Sequence, residues 1–155
     1  MKAAVLYEAN KGLQVLDVEQ QGPKVGEARV KVMSAGVCHS DWHIMNGDWT
    51  SPLPMVLGHE AAGIVQEVGP GVSNISPGDH IIFSFRPHCG RCLYCSTGRT
   101  ILCDGHPSPR WMMLDGTHRL HRNGQPINQM ARLGTFSEYV VCPAEMLVPI
   151  RKDMP

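Results

Sequence analysis

Hydrophobic residues along the chain fall in short runs, and several of these runs alternate with polar positions every second residue. Such alternation predicts β-strands with one buried face, because successive strand side chains point to opposite sides of a sheet. The runs rich in β-branched and aromatic residues are 2–7, 13–18, 29–37, 63–68, 80–85 and 136–141. The pattern therefore predicts a mainly β protein, built as a barrel or a sandwich.

Two segments depart from this strand pattern. "HSDWHIMNG", residues 39–47, predicts a short helix that ends at Gly47, where a left-handed cap is easily formed. "GPGVSN", residues 69–74, has the first two glycines of a dinucleotide-binding fingerprint but Asn74 in place of the third. Because no helical pattern follows, a hairpin turn is favoured there over a nucleotide-binding loop.

Composition narrows the possible functions. With 155 residues, 43% of them hydrophobic and 18% charged, the chain is long enough for one globular domain with its own core. Fourteen basic residues balance fourteen acidic ones without a basic run, which argues against nucleic acid as a partner. A net charge of zero mildly favours self-association, so a homo-oligomer is expected.

The first ten residues, "MKAAVLYEAN", contain only a four-residue apolar run. That run is too short for a signal peptide or a membrane span, so a cytoplasmic protein without a membrane partner is expected. Clustered cysteines in a reducing cytosol are more often metal ligands or reactive thiols than disulfides.

Four cysteines lie within fifteen residues, three of them in "CGRCLYC". A disulfide framework, an iron–sulfur cluster and a tetrahedral zinc are the alternatives. Ferredoxins use C-x2-C-x2-C-x3-C followed by proline, whereas seven residues separate the last two cysteines here and Asp104 follows. Four thiolates around Zn²⁺ form the usual closed structural site. The predicted zinc ligands are Cys89, Cys92, Cys95 and Cys103.

The surroundings of these cysteines suit a metal. Residues 86–134 are polar with little periodicity, so a zinc within about 86–110 would replace a missing hydrophobic core, while the segment after Cys103 remains unassigned. Four thiolates on one Zn²⁺ carry a charge of about −2. The nearby cations are Arg86, Arg91 and Arg99, and Gly90 is expected to let the chain bend around a sulfur without a clash from a Cβ.

"GVCHSDWH" and "LGHEAAG", residues 36–43 and 57–63, form a second candidate site. Alone, Cys38 or His59 would more often be a core residue, but together they provide half of a catalytic zinc shell. Either Asp41 or Glu60 would hold the second ring nitrogen of His59.

Ser40 and His43 lie three residues apart on the predicted helix, so they share one of its faces. From that face they would carry a proton from the metal site to solvent.

The ordered motifs resemble the N-terminal catalytic domain of the zinc-dependent medium-chain alcohol dehydrogenases. They are "AGVCHSDWH", "PLPMVLGHEAAGIVQEVGPGV", "PGDHI", "CGRCLYC" with Cys103, and "GTFSEYVV". The resemblance implies a GroES-like, partly open β-barrel over residues 1–155, with a zinc-binding lobe and few short helices. In the family a Rossmann domain that binds NAD or NADP follows; we expect it to be absent from this chain and to belong to a longer protein.

The resemblance also implies roles for individual residues. Cys38 and His59 match two catalytic-zinc ligands, Glu60 matches the acidic residue beside the metal, and the third ligand is a cysteine beyond residue 155. Cys142 does not match that ligand and is expected to be a strand thiol. The remaining matches are Ser40 and His43 in the proton relay, Asp41 behind His59, His39 at the cofactor pyrophosphate, and Trp49 and Phe85 in the substrate pocket, where core packing is the alternative for each.

The implied activity is hydride transfer from a zinc-bound small alcohol to NAD or NADP, or the reverse reaction on an aldehyde. The segment 113–139 resembles the alcohol dehydrogenase and glutathione-dependent formaldehyde dehydrogenase branch. A zinc-free quinone reductase is disfavoured by the cysteines, and a non-catalytic zinc-binding module is the alternative for the isolated chain. By itself the chain is expected to hold the structural zinc and to show no turnover.

Overall fold

A computed structural model describes residues 1–106 and 108–154. The strands in this part of the chain are β1 (Lys2–Leu6), β2 (Gln14–Asp17), β3 (Glu19–Gln20), β4 (Glu27–Gly36), β5 (Met55–Val56), β6 (Glu60–Val68), β7 (His80–Phe83), β8 (Leu120–Arg122), β9 (Gln125–Gln129), β10 (Tyr139–Pro143) and β11 (Leu147–Pro149). The helices are α1 (His39–Met45) and α2 (Leu93–Ser96), with 3-10 turns at Thr100–Leu102, Met130–Arg132 and Ala144–Met146.

The strands form two sheets. One has six strands in the order β2-β1-β5-β9-β8-β3, and the other has five in the order β10-β4-β6-β7-β11. Every pair is antiparallel except β5 with β9. The two sheets make a nearly closed barrel with few helices, which confirms the predicted mainly β class. Within the described residues, no helix has both the length and the apolar character to cross a bilayer.

Each of the six predicted runs overlaps an observed strand, and α1 lies inside the predicted helical segment. Gly47 has a φ of +78°, as expected for a residue that ends a helix. Residues 69–74 lie in the connection between β6 and β7, which pair antiparallel. The interpretation of this glycine-rich segment as part of a turn agrees with the structure.

The β8–β9 hairpin was not predicted. Its turn is Asn123–Gly124, with φ angles of 51° and 75°, and the Asn-Gly pair favours this tight turn because both residues tolerate a left-handed backbone. The flanking strands are short and mostly polar, so they show little alternation. The expectation that residues 86–134 lack regular structure is therefore wrong for this hairpin.

Three apolar clusters form the core of the barrel. Val30, Val65 and Ile81 belong to the cluster of the five-stranded sheet, and Val5, Val56 and Leu120 to that of the six-stranded sheet. A third cluster joins Ile44 of α1 to Leu6, Met55 and Leu57. Burying an aliphatic side chain contributes roughly 1.5–3 kcal/mol. Ile44 therefore fixes α1 against the barrel.

A buried ion pair connects the two sheets. The Arg119 side chain is fully buried beside β8, and its Nε donates to Glu27 Oε2 on β4 at 2.8 Å. Its Nη2 donates to Asp115 Oδ2 at 2.9 Å. Burial tends to raise the pKa of Asp115, but hydrogen bonds from Thr117, Arg119 and Lys24 outweigh it and hold that pKa well below its usual range. The segment after Cys103, which the sequence pattern leaves unassigned, thus anchors the β8–β9 hairpin to the five-stranded sheet.

We predict that Arg119→Met destabilises the chain by about 3–5 kcal/mol, because it leaves the Glu27 carboxylate buried without its cation. Arg151→Met is the matched control, since Arg151 and Asp153 form an ion pair whose side chains are 81% and 65% exposed. The control should change stability by less than about 1 kcal/mol. Urea unfolding of both variants measures the difference, and equal midpoints would contradict the prediction.

Candidate metal centres and catalytic residues

Pairing of β4 with β6 brings the first candidate site together. Gly36 at the end of β4 lies opposite Glu60 at the start of β6. Cys38 follows two residues after β4 and caps the N-terminus of α1, and His59 directly precedes β6. One ligand atom from each of Cys38, His59 and Glu60 therefore lies within 4.8 Å of the others.

The buried carboxylate of Asp41 supports both halves of this site. Its Oδ2 accepts a hydrogen bond from the Cys38 backbone N–H, and its Oδ1 accepts one from the Gly58 N–H, each at 2.9 Å. Oδ1 also lies 3.6 Å from His59 Nδ1, which is longer than a hydrogen bond but close enough for strong attraction. Glu60 Oε1 lies instead 3.9 Å from His59 Nε2. Of the two predicted alternatives, Asp41 is the residue beside the second ring nitrogen.

Electrostatics act in opposite directions on the two main candidate ligands. The Ser40 hydroxyl and its backbone N–H lower the pKa of the Cys38 thiol, which favours the metal-binding thiolate. Asp41 raises the pKa of His59 despite burial, so a metal would compete with a proton for this ring. His59 Nδ1 is buried without a hydrogen-bond partner among the described residues and faces Asp41, so in a neutral ring with its N–H at Nδ1 the Nε2 lone pair would be free for a cation. A thiolate, an imidazole and an oxygen donor form a donor set that fits Zn²⁺.

The two predicted relay residues differ in their distance from the ligands. Ser40 Oγ lies 3.5 Å from His59 Nε2, at the edge of hydrogen-bond length. His43, one helical turn further, is one-third exposed, and its Nδ1 lies 2.9 Å from Asp48 Oδ2. The structure thus places Ser40 at the site and His43 on the surface beside it.

His39, His43 and Trp49 form a stack on the outer face of α1. The ring of His43 is 4.6 Å from His39 and 4.8 Å from Trp49, measured between centroids. The predicted cofactor-contacting residue, His39, is therefore already in van der Waals contact with the relay residue. Trp49 also lines a small cavity of about 220 Å³ with Ala9 and Leu53.

Phe85 occupies a different position from Trp49, although both were assigned to the substrate pocket. Its ring meets His59 edge-on with centroids 5.9 Å apart, and half of its surface is exposed. It lines a second cavity, of about 410 Å³, in which Trp49 takes no part. A larger groove of about 780 Å³ beside Val72 and Val148 contains none of the candidate ligands. Only Phe85 of the predicted pair contacts a candidate metal ligand.

The four cysteines of the second site also converge, with their sulfurs within 4.8 Å of one another. Backbone N–H groups point at these sulfurs: Cys89 N–H donates to Cys103 Sγ and Cys92 N–H to Cys89 Sγ, each at 3.3 Å, and Cys95 N–H donates to Cys92 Sγ at 3.5 Å. None of the described cysteines is in a disulfide. The N–H groups of Arg91 and Cys92 lower the pKa of Cys89 to about 6.

Desolvation and the neighbouring thiols raise the pKa of Cys95 to about 12. Four such close sulfurs resist simultaneous ionisation unless a cation shares their charge. This is the behaviour expected of a structural zinc site, and the donor set fits that metal. Cys142 is separate from both sites, because it lies buried in β10 and its pKa is raised by burial.

One expectation about this lobe needs correction. Arg86 donates from Nε and Nη2 to the Ile101 carbonyl, and Arg99 lies over the Tyr94 ring, while backbone N–H groups reach the sulfurs directly. At Gly90 an added Cβ would meet open space, and its φ of +72° is the reason for glycine. The glycine that packs on a sulfur is Gly105, where a Cβ would overlap Cys89 Sγ.

Comparison with known proteins identifies the fold family. Residues 24–152 match the alcohol dehydrogenase GroES-like domain. The chain belongs to this family. As a GroES-like domain, it superposes on an alcohol dehydrogenase zinc-binding domain protein from Burkholderia ambifaria with a TM-score of 0.91 at 28% identity. On benzyl alcohol dehydrogenase from Acinetobacter calcoaceticus the TM-score is 0.87 at 30% identity. The resemblance and the predicted fold are both confirmed.

The relatives of this GroES-like domain are alcohol dehydrogenases. An NDMA-dependent alcohol dehydrogenase from Amycolatopsis methanolica is 44% identical over 155 residues. Putative alcohol dehydrogenase D from Mycobacterium tuberculosis is 43% identical over 154 residues. In both cases the match covers 99% of this chain and 42% of the relative. The chain thus spans less than half the length of the curated relatives it matches, and matches of the two solved structures also cover 99% of it and 42% of each structure.

We predict that Asp41→Asn destabilises the domain and displaces His59, because an amide offers one acceptor oxygen where two backbone N–H groups need one each. Each lost charge-assisted hydrogen bond should cost roughly 1.5–3 kcal/mol. The exposed Asp48→Asn is the matched control, since Asp48 contacts His43 at the surface. Amide exchange at Cys38 and Gly58 measures the effect, and unchanged protection there would refute it.

We also predict that Gly105→Ala weakens zinc at the four-cysteine site, by roughly 10–100-fold as for other groups that support metal ligands. The methyl group would push Cys89 Sγ away from the other sulfurs. Gly22→Ala is the control, because a Cβ at Gly22 meets nothing within 4 Å. Competition with a chelator gives both affinities, and equal values for the two variants would argue against a tight packing role.

Proposed function

We propose that the chain is the catalytic-domain portion of a zinc-dependent alcohol dehydrogenase, in which a hydride passes between a small alcohol and NAD or NADP. The observation that carries this proposal is the convergence of Cys38, His59 and Glu60 within 4.8 Å, with Ser40 and Phe85 beside them. Membership of the GroES-like family and relatives named as alcohol dehydrogenases support it.

In the proposed mechanism, Cys38 and His59 would hold a Zn²⁺ ion, which would supply Lewis-acid chemistry that lowers the pKa of an alcohol hydroxyl. Asp41 holds the His59 ring so that Nε2 faces the site. Ser40 would accept the alcohol proton while it releases its own hydroxyl proton towards His43, and His43 would pass a proton on to water. Phe85 would give the alcohol an apolar wall next to His59.

The proposed reaction also needs groups that are not assigned among the described residues. We expect a third metal ligand and a nicotinamide-binding Rossmann domain from the rest of a longer protein, with His39 close to the cofactor pyrophosphate. Glu60 lies on the exposed side of the ligand group and would occupy the metal until substrate binds. A cytoplasmic location and a homo-oligomer also remain predictions.

Cys89, Cys92, Cys95 and Cys103 would hold a structural zinc. The helix α2 and the neighbouring 3-10 turn contain no buried residue, so apolar packing contributes little to their order. Because a structural metal provides folding free energy where a core is missing, chelation should disorder residues 86–110 before the barrel unfolds. If neither alcohol dehydrogenase nor formaldehyde dehydrogenase activity is found, the four-cysteine site would still make the chain a non-catalytic zinc-binding module.

The test is NAD- or NADP-dependent oxidation by a protein in which this chain is joined to the expected Rossmann domain, assayed with ethanol, benzyl alcohol and S-hydroxymethylglutathione. The first two substrates report alcohol dehydrogenase activity, and preference for the third would place the protein in the formaldehyde dehydrogenase branch. His43→Gln should slow oxidation by roughly 10²-fold, mainly at lower pH, where the released proton most needs an acceptor.

His121→Gln is the control for this experiment, because His121 lies in β8. An unchanged pH–rate profile in His43→Gln would exclude His43 from the relay. Absence of oxidation in a protein shown to contain zinc would contradict the proposed function as a whole. The 155-residue chain alone should bind zinc at the four cysteines and give no turnover.

A further inference from the structure

A cationic cavity lies beside the candidate catalytic site. Its volume is about 410 Å³, and three arginines line it, Arg86, Arg110 and Arg132. Among the described residues, Asp104 is the one acidic residue in the lining. None of the three arginines forms an ion pair with a described Asp or Glu. Three basic side chains thus face one carboxylate, and Cys103 of the four-cysteine site also lines the cavity.

Arg132 shows that this charge is built into the fold. The residue is only 3% exposed, and its Nη2 donates to the Ser108 carbonyl at 2.6 Å and to Ser108 Oγ at 3.1 Å. Its Nε is buried and has no hydrogen-bond partner within residues 1–106 and 108–154. A buried guanidinium without a negative partner is costly. Burial and the nearby charge of Arg110 lower the pKa of Arg132, in keeping with an uncompensated cation.

Among the described residues, neither acidic side chain near the cavity pairs with Arg132. Glu145 attracts Arg132 at longer range and its Oε1 lies 2.8 Å from His106 Nε2, while Asp104 lines the cavity without an ion pair to Arg132. Arg86 is held by the Ile101 carbonyl, which carries no formal charge. An anion bound in the cavity would therefore give Arg132 the ion-pair partner that no described carboxylate supplies. Oxyanions suit it, because guanidinium groups match the geometry of phosphate and carboxylate oxygens.

One wall of the same cavity is apolar. Phe85 and Leu102 both line it, and each is 50% exposed. We infer that this cavity binds an organic oxyanion, a phosphate or carboxylate group on an apolar stem, with the oxyanion at Arg110 and Arg132 and the stem along Phe85 and Leu102. Phe85 also contacts His59, so the bound molecule would lie next to the candidate metal ligands. The inference does not depend on the proposed activity, because it concerns binding alone.

Calorimetry on the zinc-loaded chain tests the inference, with propyl phosphate, butyrate and inorganic phosphate as probes. Propyl phosphate or butyrate should bind, and Arg110→Gln should weaken that binding about tenfold or more. The reason is that the free energy of one charge-assisted hydrogen bond exceeds the free energy that corresponds to a tenfold change in affinity. Arg132→Gln should weaken it at least as much. Arg151→Gln, an exposed arginine paired with Asp153, should leave it unchanged.

Arg110 is exposed, so its variant decides the matter if the buried Arg132→Gln does not fold. Propyl phosphate should bind more tightly than inorganic phosphate, and Phe85→Ala should remove that advantage. Equal binding of the two phosphates would mean an adventitious ion only and would overturn the organic ligand. Undetectable binding of all three probes, or affinity that neither arginine variant changes, would overturn the site altogether.

Discussion

The buried carboxylate of Asp41 is the contact on which the first candidate site depends. It accepts hydrogen bonds from the chain on both sides, at Cys38 before α1 and at Gly58 before β6, and it faces the ring of His59. A carboxylate taken out of water needs such donors, because an unpaired buried charge is strongly destabilising. The hydrogen bonds that stabilise the buried Asp41 carboxylate therefore also hold the Cys38 thiol and the His59 imidazole at a fixed separation.

The two candidate metal sites rest on different kinds of support. Cys38 and His59 are attached to strands whose side chains fill the barrel, so their positions follow from strand register and apolar packing. The four-cysteine lobe, residues 86–110, has instead exposed apolar residues such as Leu93 and Ile101 and few buried ones. Its order comes from backbone N–H groups directed at sulfur. Loss of metal should consequently affect the lobe far more than the barrel.

Much of this arrangement could be predicted from the sequence, and the exceptions have physical reasons. Alternating runs located the long strands, because burial of one face leaves a period of two residues, and the cysteine spacing located the lobe. Strands of two residues, such as β3 and β5, are too short to carry a period. The β8–β9 hairpin was detectable only through Asn123–Gly124. Arg119 and Gly105 were missed because their importance depends on Glu27 and Cys89, which contact them only in the folded chain.

The parallel pairing of β5 with β9 has a consequence for how the barrel assembles. Val56 pairs with Gln129, so the chain between them, which includes the whole four-cysteine lobe, forms one long loop that closes when these strands meet. Such non-local pairing slows folding, since the entropy of loop closure must be lost before the contact forms. An ordered lobe would act as a shorter connection, because fewer backbone conformations remain to be lost. Order in the lobe would then lower the entropy cost of pairing β5 with β9.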